Sequence, residues 1–178
     1  MLEIHAPVPH LARGTARRFD FLGTALWSIL ASRGESLFWI WNGVPIDVGY
    51  RVPFSSAYRD VLDVVETLLS APEGRSSGHF IHHRLVADWE FAWSAGMLTL
   101  DSKWHDTPGH VEPLLAERPR IEMPVEEFLA EWKMPFRRLI DALDELGVVI
   151  DQDPGLLQRL RRAEAAIARF GSIYRAED

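Results

Sequence analysis

Alternating charged residues in the middle of the chain are the strongest candidates for chemistry. Asp88 and Glu90 are two residues apart, so on a strand their side chains share one face. Paired carboxylates of this kind hold Mg²⁺ or divide the work of a general acid and a general base. Asp101, Lys103 and His105 follow on the next predicted strand. Together these residues could form a small metal-dependent hydrolase or nuclease site, although any half-buried sheet shows the same alternation on its solvent side.

A group of histidines has the residue type, but not the spacing, of a metal site. His79, His82 and His83 are close in sequence, and His105 and His110 follow. A zinc site needs three or four converging ligands, yet on a strand His82 and His83 point to opposite faces. We therefore expect structural or surface roles for these histidines, with no metal and no cofactor.

The remaining residues contain no motif that is typical of an activated nucleophile. Ser55 and Ser56, and later Ser76 and Ser77, lie outside any G-x-S-x-G context, and the GRSSGH segment lacks the lysine of a phosphate loop. The chain has no cysteine and hence no thiolate. The sequence therefore predicts a protein without catalytic activity.

The carboxylates belong to a predicted β-hairpin. Leu85, Ala87, Trp89, Phe91 and Trp93 alternate with polar residues, which predicts an aromatic face turned to the core. A turn at 94–96 leads into a return strand, MLTLDSKW. Asp88, Glu90 and Asp101 should then lie on neighbouring strands, facing away from the core.

Helices and further strands should enclose this hairpin. A long helix is predicted from Pro124 to Gly147, with a kink or break near Glu131 caused by Pro135. The other predicted helices are Phe21–Ser32, Ser55 or Ser56 to Ser70 with a serine cap, and one capped by Asp153 that ends near Phe170. Strands are predicted at Leu2–His5 and on both sides of the Asn42-Gly43 turn, and 71–79 is predicted to be a flexible loop.

These elements predict one α+β domain spanning 1–178. A twisted antiparallel sheet should pack against several amphipathic helices. The seven tryptophans and nine phenylalanines supply the material for a substantial core.

The charge of the chain is uneven. The net charge is −7, and residues 86–132 alone hold ten acids and three bases, which also gives −7. This predicts an acidic face that attracts a basic partner and disfavours nucleic acid, although the excess could simply keep the protein soluble. The chain also has two runs of arginines. The first, Arg13, Arg17 and Arg18, is predicted to contact an acidic partner. The second, Arg159, Arg161 and Arg162, is predicted to be a solvated helix face.

The cellular location is predicted from what the N-terminus lacks. It has no apolar signal core, and no window of the chain approaches the length of a membrane span. We expect a cytoplasmic protein without membrane contact.

The second half of the chain contains a distinctive order of residues. It consists of W-E-F-x-W, a glycine turn, L-T-L-x-S-x-W, and then F-L-x-E-W. The positions are Trp89, Glu90, Phe91, Trp93, Leu98, Leu100, Ser102, Trp104, Phe128, Leu129, Glu131 and Trp132. This order resembles bacterial immunity proteins of polymorphic toxin and contact-dependent inhibition systems. The resemblance implies a protein that binds and neutralises a cognate toxin, commonly a nuclease, without chemistry of its own.

The expected partner is therefore a toxin domain with a basic surface. The expected partner-binding residues are Asp88, Glu90, Asp101 and Asp106. A metal-dependent hydrolase using Asp88, Glu90, Asp101 and a histidine is the first alternative, and a protein-binding adaptor without a toxin is the second. The sequence leaves the oligomeric state open.

Overall fold

A computed structural model describes residues 1–12, 14, 17–32 and 36–173, with side chains as far as residue 169. Arg13, the first member of the predicted N-terminal arginine run, lies outside this part of the chain. The described elements, in chain order, are β1 (Leu2–His5), β2 (Arg18–Phe19), α1 (Leu22–Ile29), β3 (Phe38–Trp41), β4 (Val44–Asp47), α2 (Ser55–Ser70), β5 (Gly74–His82), β6 (Leu85–Ser94), β7 (Met97–Asp106), α3 (Glu112–Ala116), β8 (Arg120–Pro124), α4 (Val125–Glu145), β9 (Val149–Ile150) and α5 (Pro154–Ile173).

The fold is α+β, as predicted, with the antiparallel strands divided between two sheets. One sheet has the order β1-β3-β4, and the other is a meander in the order β5-β6-β7-β8. A short parallel pair, β2 with β9, joins the start and the end of the fold. The predicted hairpin is confirmed as β6–β7, with Trp89 opposite Ser102 and Phe91 opposite Leu100.

Tryptophans hold the two sheets and α4 together. Trp39 of β3 packs against Trp132 of α4 at a ring-centroid distance of 5.2 Å, and Trp41 packs against Trp89 of β6 at 5.3 Å. Trp39 and Trp132 are fully buried, and Trp89 is 1% exposed. The inward direction predicted for Trp89, Phe91 and Trp93 is confirmed. A single apolar core therefore runs between the sheets and the helices.

Three of these indoles are buried without a conventional hydrogen-bond acceptor. They are the Nε1 groups of Trp39, Trp89 and Trp132. The ring of Trp39 meets that of Trp132 at 87° and that of Phe80 at 79°, so ring edges face ring faces in this cluster. Edge-to-face packing is the preferred geometry of aromatic pairs, and it stabilises this cluster.

The segment predicted to be a flexible loop is instead largely strand β5, so this prediction was wrong. β5 pairs with β6 along its whole length, from Gly74 opposite Trp93 to His82 opposite Leu85. A Cβ on Gly74 would come within 2.6 Å of the Trp93 ring, so glycine permits a close approach here. Pairing with a long aromatic strand outweighs the weak strand propensity of glycine and serine.

The predicted serine cap of α2 and the predicted break inside α4 need correction. The hydroxyl groups of Ser55 and Ser56 donate to the carbonyl oxygens of Arg51 and Pro53, so neither serine caps the N–H groups of α2. α4 continues unbroken through Pro135, which is buried in its packed face. By contrast, Asp153 does cap α5, accepting a hydrogen bond from the Leu156 N–H at 3.3 Å.

The second arginine run is not simply solvated. Arg159 of α5 donates to both carboxylate oxygens of Glu66 on α2, at 3.2 Å to Oε1 and 2.6 Å to Oε2. Arg161 pairs with Asp144 on α4. These ion pairs fix α5 against α2 and α4.

Candidate functional site

The outward-facing side chains of β5, β6, β7 and β8, here called the sheet face, include three of the four predicted binding residues. Glu90 lies directly opposite Asp101, and Asp88 lies opposite Lys103. The inward-facing residues of β6 and β7 are buried, whereas those on the sheet face are exposed or half-buried. The predicted placement of Asp88, Glu90 and Asp101 on neighbouring strands is therefore confirmed.

Asp88 is held by two histidines, one on each side. The Asp88 Oδ1 atom is 2.6 Å from Nδ1 of His79, and Oδ2 is 2.8 Å from Nε2 of His105. Hydrogen bonds from His105 and then His79 hold the pKa of Asp88 below its ordinary value. The arrangement fixes a carboxylate and two imidazoles on adjacent strands of the open sheet.

Asp101 is already paired within the sheet. The Arg120 guanidinium on β8 donates to both of its carboxylate oxygens, at 2.8 and 2.9 Å. Asp101 in turn raises the pKa of Arg120 further. Because Arg120 takes both oxygens, the set proposed for a hydrolase is not assembled as metal ligands. Glu90 makes no ion pair with any of the described residues.

The sheet face carries mixed charge with an acidic excess of one, whereas the sequence predicted an acidic face. Its carboxylates are Asp88, Glu90, Asp101 and Glu122, and its bases are Arg75, Lys103 and Arg120. Four acids against three bases leave a net charge of −1. The count along the sequence missed this because Arg75 of β5 lies outside the 86–132 window. Several acids within that window lie elsewhere, on α4 and around α3.

Asp106, the fourth predicted binding residue, belongs to a separate cluster. A bulge at Val86–Ala87 shifts the register, so Asp106 lies opposite Val86 at the end of β7. There its carboxylate comes together with the side chains of His110 and Glu112, with one possible ligand atom from each within 4.8 Å of the others. In the part of the chain that the structure describes, these three form the one group with metal-ligand potential.

An arginine already supplies positive charge to that cluster. The Arg84 guanidinium contacts the ring of His110 and lies 3.9 Å from Asp106. Glu112 accepts hydrogen bonds from the N–H and hydroxyl groups of Thr107, and its pKa is lowered. A divalent cation would have to displace Arg84, because two positive charges would otherwise lie together.

The histidines of the predicted metal-like group separate in the fold. His79 faces Asp88, whereas His82 turns to Asp60 on α2 with 2.6 Å between Nε2 and Oδ2. His83 lies in the β5–β6 turn at φ 23°. The three side chains do not converge, and His82 connects the sheet to a helix.

A second surface was missed by the sequence reasoning. Trp27 of α1 is 49% exposed, and the Arg51 guanidinium lies 4.2 Å from the centre of its ring. The sequence did contain a signal, since Trp27 falls off the apolar stripe formed by Leu22, Ala25, Leu26 and Ile29. Finding its partners required the fold, because Arg51 comes from the turn before α2.

Comparisons with models of known protein families, with curated proteins and with solved structures gave no match. None of the described helices combines the length and apolarity needed to cross a bilayer. The resemblance to immunity proteins stays a prediction.

Proposed function

We propose that the protein is an immunity-type binding protein that neutralises a cognate bacterial toxin in the cytosol and performs no catalysis. One observation carries this proposal: the face of a four-stranded sheet lies open and presents an ordered arrangement of charged side chains. The toxin would dock on this sheet face.

The ion pairs on the sheet face favour recognition by a partner. Asp88 is fixed by two histidines and Asp101 by Arg120, so their carboxylates are ordered before any partner arrives. Ordering side chains in advance reduces the entropy lost on binding. A fixed pattern of both charge signs also repels partners whose pattern does not match, which favours specificity.

The carboxylates at the centre of the sheet face would be stabilised by an additional cation. Glu90 and Asp101 lie directly opposite each other, and like charges in such cross-strand positions destabilise a sheet. Arg120 offsets only the charge of Asp101. A lysine or arginine of a partner placed beside Glu90 would relieve the remaining repulsion, so a basic toxin surface such as that of a nuclease fits best.

The experiment uses the toxin domain encoded beside the gene of this protein. We expect Glu90→Lys to slow its association about tenfold and to weaken the salt dependence of the rate, because a steering charge is reversed. Glu145→Lys makes the same charge change at the exposed end of α4, outside the sheet face, and serves as the matched control. Stopped-flow association and protection of toxin-expressing cells provide the two readouts.

Two outcomes would contradict the proposal. If neither variant loses affinity or protection, the toxin does not dock on the sheet face. If the parent protein neither binds nor protects, the immunity function itself is wrong, and the adaptor alternative becomes the better account.

A further inference from the structure

A groove on another part of the surface forms where three distant segments meet. Helix α1, the turn 50–54 and the β5–β6 turn enclose two adjoining depressions of about 560 and 580 Å³. Both are lined by Trp27 and His83, so the Trp27 side chain stands between them. We call this surface the tryptophan groove; its depressions have the size of ordinary ligand sites.

Large apolar side chains line the groove and remain in contact with water. Phe21 is 53% exposed, Trp27 49% and Val52 41%. A group of exposed apolar side chains typically marks a site of interaction. The Arg51 guanidinium stacks on the Trp27 ring and thereby orders both side chains. Tryptophan and arginine are the residue types that most often dominate binding energy at protein interfaces.

The groove is locally basic on an acidic molecule. Arg51 lines one depression and Arg59 the other, and Arg84, which also contacts Asp106, lies beside Arg51; the carboxylates that line the depressions are those of Asp47 and Asp153. Neither Arg51 nor Arg59 forms an ion pair with another described residue. The chain as a whole has 26 acids and 19 lysines and arginines, so this excess of arginine is a local departure.

We propose that the tryptophan groove binds an acidic segment of a protein partner. An apolar side chain of that segment packs against Trp27, and its carboxylates pair with Arg51 and Arg59. Charge complementarity with Arg51 and Arg59 argues for a short acidic segment over nucleic acid, because a phosphate backbone needs many basic contacts and the groove offers few. The inference does not depend on the sheet face or on the toxin.

The test titrates the whole protein with a blocked peptide, Glu-Glu-Leu-Phe-Glu-Glu, by calorimetry. We expect Trp27→Ala and Arg51→Gln each to weaken binding about tenfold or more, as at interface hot spots. Arg162→Gln removes an exposed arginine of α5, outside both the groove and the sheet face, and should leave the affinity unchanged. The indole N–H signal of Trp27 should shift during the titration, which locates the peptide.

Three results would overturn the inference. The first is no binding up to the solubility limit of the peptide. The second is equal affinity of the parent and both groove variants, with folding confirmed by circular dichroism. The third is tighter binding of Lys-Lys-Leu-Phe-Lys-Lys or of an oligothymidylate, which would assign the groove to a basic peptide or to nucleic acid.

Discussion

At the scale of single residues, Asp88 is the acid of the sheet face whose pKa is clearly shifted by its neighbours. Its lowered pKa comes first from His105 and then from His79. The stability it contributes is therefore present above the pKa of the unfolded chain and is lost as the pH falls through the lower folded pKa. We predict that His105→Ala and His79→Ala each raise the pKa of Asp88, because each removes one hydrogen bond to its carboxylate. Carboxyl carbon NMR during an acid titration measures this, and an unchanged pKa in both variants would contradict the hydrogen-bond geometry.

The pKa of Glu131 is shifted in the opposite direction, upwards. Its Oε2 atom accepts a hydrogen bond from the Ile4 N–H at 2.6 Å, yet burial, with Glu3 and Glu127 nearby, raises its pKa. A raised carboxyl pKa means that ionisation costs stability, and this cost appears as the pH rises through the folded value. Glu131→Gln keeps the acceptor and removes the charge.

We therefore predict that Glu131→Gln raises Tm at pH 7 and that the difference vanishes near pH 4, close to the ordinary carboxyl pKa. Scanning calorimetry at the two pH values measures it. A lower Tm at pH 7 would mean that the charge-assisted bond to Ile4 outweighs the burial of the carboxylate.

Among the elements, β6 supplies Trp89, the ring at the centre of the aromatic cluster. Trp89 contacts Trp39, Trp41, Phe80 and Trp104 with ring-centroid distances between 4.4 and 5.9 Å. We predict that Trp89→Ala costs about 3–5 kcal/mol of unfolding free energy, a large share of the stability of an ordinary domain. Trp27→Ala removes a half-exposed side chain and its stacking on Arg51, and should cost no more than about 1 kcal/mol. Urea unfolding compares the two, and equal losses would contradict the burial of Trp89.

The elements also show where sequence reasoning succeeds. The alternation of Trp89, Phe91 and Trp93 was enough to assign the buried face of β6, because side-chain direction along a strand has a period of two. β5 could not be found in this way, since its strand structure depends on its pairing with β6. The Asp106 cluster could not be found either, because a bulge and a loop bring its members together.

At the scale of the whole molecule, the sequence gives the net charge but does not predict where the charges lie on the surface. The net charge of −7 is a property of composition, whereas the near-balance on the sheet face depends on which strands are neighbours. The tryptophan groove likewise required three segments, around residues 27, 51 and 83, to meet in space. Local sequence patterns predict which face of a single helix or strand is buried. A surface that is formed by several elements can be identified only once the fold is known.

The packing of the tryptophans also has an optical consequence. Six of the seven indoles are buried, and several are within 6 Å of a neighbour, so their electronic transitions couple and should give an intense near-ultraviolet circular dichroism signal. Trp27 stands apart as the one solvent-exposed indole, and all seven lie in the described part of the chain. An aqueous quencher such as iodide should therefore reach Trp27 first. The protein thus has two internal reporters: one follows the integrity of the core, and the other follows the occupancy of the groove.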